Sequence, residues 1–203
     1  DDASPRRLVL SGEADLDRVD GERADADAIL VGAGTIRRDD PRLLVRSPRR
    51  VAQRVAQGRP EQPLKATIST GGALDPDAQF FTAGTGSKIV YLPAGVTAPA
   101  EVAAVATVVA AGDPLDPGLV LGDLYARGVR TLLVEGGTAM HTLFLTAGLA
   151  DELQLAVAPL FVGDAGAPRF VGPGRFPPGR MRLVEVRAVE DVVLARYLVG
   201  RAG

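Results

Sequence analysis

Short unbroken runs of Val, Leu, Ile and Ala recur along this chain, with helix-like stretches between several of them, and no other feature constrains the fold as much. The runs are AILV at 28–31, KATIS at 65–69, KIVYL at 88–92, VATVVAA at 105–111, VRTLLVE at 129–135 and LQLAVAPLFV at 153–162. Strands that are apolar on both sides need both faces covered, which is the pattern of an α/β fold with a largely parallel sheet flanked by helices. Helices are expected at 117–127, at 137–147, and at 13–26, where Ala14, Leu16, Val19 and Ala24 form a broken apolar stripe behind Ser11 as N-cap. Near the end, MRLVEVRAVEDVVLARYLV alternates about a turn at 189–191, predicting a C-terminal antiparallel hairpin on the same sheet. RRVAQRVAQGRPEQP, 49–63, reads as a polar helical surface insertion, and GDAGAPRFVGPGRFPPGR, 163–180, as a long Gly/Pro loop. A chain of 203 residues with no linker and no internal repeat is expected to form a single domain over 1–203.

Composition excludes several function classes. The formal charge of −2 offers no basic surplus to neutralise a phosphate backbone, so no nucleic-acid partner is expected. The absence of cysteine removes disulfides, thiolate catalysis and cysteine metal sites together, and one histidine leaves a metal site to lean on carboxylates, so none is expected. No apolar run approaches the roughly 18 residues that span a bilayer, and DDASPRR lacks the apolar core of a secretion signal. No membrane partner and a cytoplasmic location are expected.

Two stretches carry the chemistry. In ILVGAGTIRRDDPRLLVR, 29–46, Gly32 and Gly34 allow close approach of the backbone to a ligand after a strand, and Thr35 offers a hydroxyl to a phosphate or ribose. Arg37 stands where a dinucleotide fingerprint has its third glycine, so a plain strand-to-loop turn fits the glycines equally. Beyond them, Asp39 and Asp40 precede a helix-stopping proline, then Leu43 and Arg46. This is either a solvated salt-bridge cluster or an extended loop across the sheet's carboxyl edge, with Asp39 accepting hydrogen bonds and Arg46 gripping a phosphate or carboxylate in a fork.

In LLVEGGTAMHTLFL, 132–145, Glu135 ends a strand, and Gly136, Gly137 and Thr138 lead into a helix. Backbone N–H donors at a helix N-terminus suit an anion, and an acid beside them can orient a substrate amide or donate a proton if burial or a neighbouring charge raises its pKa. The alternative is simple capping, with Thr138 as cap and Glu135 as a surface acid. His141 has no second histidine or nucleophile pattern about it and reads as a partly buried structural residue. GTGSK, 84–88, lacks the order of a phosphate-binding loop and reads as a turn, and STGG, 69–72, ends a strand with hydroxyls rather than an acid.

The combination of V-G-A-G-T-x-x-x-D-D-P-x-L-x-x-R with V-E-G-G about 100 residues later, and with STGG and ELQLAVAPLFVG, resembles the riboflavin-biosynthesis pyrimidine reductase family. That family is the reductase half of the bifunctional deaminase-reductase and shares the dihydrofolate-reductase fold. The resemblance runs from about residue 11 to residue 199. It implies NADPH-dependent hydride transfer to the ribosyl carbon of a 5-aminouracil ribosylamine 5′-phosphate, opening the sugar to a ribityl chain. It implies that Thr35 and Asp39 contact the cofactor, with Gly32 and Gly34 beside them, Ser69 near its adenosine end, and Gly136, Gly137, Thr138 and Ala139 at its pyrophosphate. Arg23, Leu43, Arg46 and Glu135 would hold the substrate, the arginines by its phosphate, and Glu135 and Asp39 are the candidate catalytic acids. It further implies a strand and a Ser-x-Asp-Gly loop ahead of Asp1, a phosphorylated small-molecule partner, and a homodimer. In PRRLVLS, Arg7 and Val9 stand where members of the family tend to place small polar and aromatic residues. Two alternatives accompany this reading: a reductase of another pterin- or folate-like heterocycle, and a non-catalytic NADPH-binding oligomeric protein.

Overall fold

The computed structural model describes residues 12–200. The expected N-cap Ser11 and the positions Arg7 and Val9 lie outside them. The described residues form two compact units: residues 20–140 make one, and residues 12–19 with 141–200 make the other.

The first unit is built on a five-stranded parallel sheet. Its strands are β1 (Ala28–Gly32), β2 (Leu64–Ile68), β3 (Lys88–Leu92), β4 (Thr107–Ala110) and β5 (Leu132–Val134), in the order β4-β3-β2-β1-β5. The AILV run of β1 is wholly buried, as coverage of both faces demands. On one face, α2 (Ala33–Asp39), α4 (Gln79–Thr82) and α5 (Ala100–Val105) bring Ile36, Phe80, Phe81 and Val102 against Ile29, Val31, Val90 and Leu92. Tyr91 points the other way, because side chains alternate along a strand, and donates its hydroxyl to Asp123 of α6 (Pro117–Ala126) at 2.7 Å. Two strands are shorter than their apolar runs. The N–H groups of Arg130 and Thr131 donate to Asp27 Oδ2, so β5 pairs only from Leu132, and Val105 is taken by α5, so β4 opens at Thr107.

Two expected helices bury charged side chains that hydrophobic periodicity does not foresee. Helix α1 (Glu13–Asp25) turns acids inward: Asp15 and Asp20 are buried, while Leu16 of the expected apolar stripe is exposed. Both acids have cationic partners, Arg18 for Asp15 and Arg50 for Asp20, and pairing is what makes a buried carboxylate tolerable. Helix α3 (Pro48–Ala56) is the expected polar helix with most of its residues exposed, but one charged side chain anchors it. Its Arg54 is buried and donates to Ala24 O and Ala26 O, carbonyls at the end of α1, and to Pro60 O in the segment after α3.

The second unit carries a three-stranded antiparallel sheet of β6 (Glu152–Val157), β7 (Arg182–Val189) and β8 (Val192–Leu198), in the order β6-β8-β7. The expected hairpin forms, with Glu190 at φ 55° in its turn, but it does not extend the parallel sheet. Its strand β8 takes β6 as an antiparallel neighbour instead, and the 153–162 run stops pairing at Val157, two residues before Pro159. Register puts Leu153, Leu155 and Val157 on the same face as Tyr197, Ala195 and Val193, with Val186 and Ala188 of β7 continuing it. The opposite face holds the ion pairs of Arg196 with Glu152 and Glu185. No helix or strand interrupts 163–180.

Candidate functional site

The sheet order places a topological switch at β1. The chain steps from β1 to β2, β3 and β4 on one side and returns to β5 on the other, so the carboxyl ends of β1 and β5 lie side by side where the strand order reverses. Both sequence-predicted glycine corners lie there.

After β1 the chain enters α2 directly, with Gly32 as N-cap at φ −78°, ψ 151°, so this corner is a strand-to-helix junction rather than a strand-to-loop turn, and it needs no positive φ. The glycines act through their size. A Cβ on Gly32 would stand 3.2 Å from Met140 Cγ, while one on Gly34 would meet nothing within 4 Å, leaving open space above the first turn of α2. Thr35 follows, and Asp39 lies one helical turn further on the same face. Asp39 is exposed at the end of the helix.

After β5, Gly136 and Gly137 adopt φ of 66° and 88°, a conformation that side-chain-bearing residues rarely take. They turn the chain into α7 (Thr138–Thr146), at whose start Met140 N–H donates to Gly137 O at 3.0 Å. The two corners touch: a Cβ on Gly137 would stand 3.2 Å from Thr35 Oγ1. The open space beside Gly34 and Gly136, next to the Thr35 hydroxyl, leaves room at this corner for an anionic group such as a pyrophosphate.

Glu135 stands between these corners and α1. Its backbone N–H donates to Leu30 O at 2.9 Å, and both its carboxylate oxygens accept from Arg23, Nε to Oε1 at 2.6 Å and Nη2 to Oε2 at 2.7 Å. Burial works against the charge on Arg23, but the hydrogen bond and attraction of Glu135, with Asp20 adding to them, hold its pKa above the ordinary value. The pair keeps about a fifth of each side chain accessible, 19% and 22%, so it is open to solvent rather than sealed in. The two residues were singled out separately from the sequence; that they pair was not read there.

Residues 40–47 form a strap tied down along its length. Asp40, left-handed at φ 40°, accepts from the backbone and side-chain amides of Gln79. Leu43, at φ 49°, is buried in the core beside Ile36 and Phe81, so its backbone is what it offers a ligand. Arg23 donates to Leu44 O, Gln62 exchanges two hydrogen bonds with Val45, and Asp20 accepts the N–H groups of Arg46 and Ser47. The Arg46 side chain remains 61% exposed. Asp20 and Gln62 were not singled out from the sequence; the i, i+3 spacing of Asp20 and Arg23 on α1 was the available signal.

Ser69, just past β2, is buried, and its Oγ accepts from Gly72 N at 3.1 Å, so the hydroxyl shapes the STGG turn. Arg37 of α2 donates to Ala73 O and ties this turn to the β1 corner. His141 lies against the Phe170 ring at 4.6 Å, with Nδ1 3.1 Å from Phe170 O; burial lowers its pKa against that hydrogen bond. Among the described residues no cluster of three His, Asp or Glu suits a metal ion, and no helix is long and apolar enough to cross a membrane.

The parallel sheet with its strand order reversing at β1, and the glycine corners beside that reversal, define an α/β protein of the open-sheet kind. Residues 2–195 match the RibD C-terminal domain, and the chain belongs to that family. It is 33% identical over 175 residues to a 2,5-diamino-6-ribosylamino-4(3H)-pyrimidinone 5′-phosphate reductase of Archaeoglobus fulgidus, covering 82% of this chain and 77% of the relative. It is 34% identical over 160 residues to the protein of that name from Methanothermobacter thermautotrophicus, covering 78% and 71%. A pyrimidine reductase-like protein of Corynebacterium diphtheriae shares the fold, with a TM-score of 0.77 at 23% identity over 95% of this chain and 84% of that one. The relatives are reductases of riboflavin biosynthesis, and that family activity implies a nicotinamide cofactor.

Proposed function

We propose that this chain is an NADPH-dependent reductase of a pyrimidine ribosylamine 5′-phosphate in riboflavin biosynthesis. The observation that carries the reading is the meeting of the Gly32–Thr35 and Gly136–Ala139 corners at the switch point, with the Arg23–Glu135 pair beside them. When bound, the cofactor supplies the hydride that the ribosyl C1′ accepts as the sugar opens to a ribityl chain, a proton from solvent completing the reduction.

The chain's own residues bind and orient. Gly32, Gly34, Thr35, Gly136, Gly137, Thr138 and Ala139 would line the cofactor's pyrophosphate, with Asp39 alongside and the Ser69 turn toward its adenosine end. Glu135, fixed by Arg23, presents its carboxylate edge to the pyrimidine, and Leu43 contributes backbone. Arg46 reaches from the strap toward the 5′-phosphate, an anion that a guanidinium fork suits. The protein acts in the cytoplasm as a homodimer, and the support for the dimer is the apolar face of the antiparallel sheet, where Val157, Val186 and Val193 are 52%, 57% and 47% exposed.

The test is the loss of reduced-nicotinamide absorbance when 2,5-diamino-6-ribosylamino-4(3H)-pyrimidinone 5′-phosphate, or its deaminated 5-aminouracil counterpart, is added with NADPH or NADH. Turnover on a pyrimidine phosphate with NADPH preferred is expected. NADPH binding without turnover on either pyrimidine would instead favour a non-catalytic protein.

A further inference from the structure

We infer that Asp20 is a positioning residue for Arg46: its buried carboxylate aims the phosphate-gripping guanidinium. The inference rests on the phosphate reading of Arg46 above.

Asp20 is 3% exposed on α1. Oδ1 accepts the N–H of Arg46, and Oδ2 accepts that of Ser47 at 3.2 Å and Arg50 Nη1 at 3.0 Å. Arg46 Nε itself stands 3.9 Å from Oδ1, at the limit of an ion pair, while its side chain stays largely in solvent. One carboxylate therefore pins the backbone of Arg46 and draws its guanidinium to one side, without withdrawing it from a ligand.

Arg50 and two backbone amides offset the cost of taking Asp20 out of water, so the hub is complete without Arg46's side chain. Ser47, held by the same oxygens, is also the N-cap of α3, so the strap and the helix start move as one piece. Three residues further along α1, Arg23 reaches Leu44 O and Glu135. A single helix face thus fixes both arginines of the proposed substrate site, one directly and one through Asp20. Restricting a long side chain before binding reduces what the ligand must order.

The test compares Asp20→Asn, Arg46→Ala and the double variant on the pyrimidine ribosylamine 5′-phosphate and on its dephosphorylated form. Asp20→Asn is expected to raise KM for the phosphorylated substrate by about tenfold, with kcat within about twofold, since misplacing a binding group loses affinity before chemistry. KM for the dephosphorylated form should not move, the double variant should be no worse than Arg46→Ala, and Asp20→Glu should recover part of the loss. Equal KM changes on both substrates, additive effects in the double variant, or failure of both Asp20 variants to fold would assign Asp20 to the fold alone and overturn the proposal. If Arg46→Ala raises KM and Asp20→Asn does not, the positioning role alone falls. If Arg46→Ala leaves KM unchanged, the phosphate reading falls and the positioning role with it.

Discussion

Gly137 carries the most demanding backbone position at the site, because φ of 88° is combined with a Thr35 hydroxyl 3.2 Å from where a Cβ would lie. Gly137→Ala should destabilise the fold by about 1–2 kcal/mol in urea unfolding and weaken NADPH binding in the same variant, since positive φ disfavours any Cβ. An alanine variant with unchanged midpoint and affinity would show that the corner tolerates a side chain. At this scale much of the site was legible: glycine pairs, a strand-ending acid and isolated arginines stand out because their chemistry is unusual beside buried strands. What was hidden is pairing. Arg23 and Glu135 are 112 residues apart and meet only because α1 and the end of β5 are brought together. The side chain of Leu43, a residue expected at the substrate, lies in the core.

The elements were read well where a continuous apolar run met both-face burial, as in β1, β2 and β3, whose bounds differ from the runs by at most a residue at either end. They were misread where polar residues face inward. Helix α1 buries Asp15 and Asp20, and α3 buries Arg54, because local ion pairs and carbonyl acceptors substitute for apolar packing, and periodicity of hydrophobicity is blind to that. Strand β2 holds the same kind of exception. Lys65 is inaccessible to solvent, and Nζ donates to Phe80 O at 3.2 Å and Ala83 O at 2.6 Å, carbonyls in and just after α4. Burial, with Lys88 and Arg23 adding repulsion, lowers its pKa from 10.5 to about 8. Below about pH 8 both folded and unfolded chains hold the proton, and the native state bears the cost of a buried charge. Between about 8 and 10.5 only the unfolded chain still holds it, so this residue makes stability rise with pH across that window. Urea unfolding from pH 7 to 10 should show this gain in the wild type and not in Lys65→Met; parallel profiles would contradict it.

At the scale of the molecule, the two sheets divide the labour. The parallel sheet carries the switch point and both glycine corners, and the antiparallel sheet has one apolar face and an opposite face that mixes the Arg196 ion pairs with the buried Val192 and Leu194. The sequence pattern revealed the hairpin but not its separation from the parallel sheet, since alternation reports which face is buried and not which strand lies alongside. If the apolar face joins two copies, Val186→Glu should convert a dimer to a monomer in sedimentation, because a charge at the centre of an apolar contact has no partner there. A wild-type monomer at micromolar concentration would remove that claim. The central claim is that the cofactor sits at the switch between β1 and β5, and hydrogen–deuterium exchange with and without NADPH tests it most directly. Slowed exchange confined to the two corners, residues 32–36 and 135–140, with a weaker effect at 69–73, is the predicted result. Unchanged exchange at both corners at saturating NADPH would contradict the account.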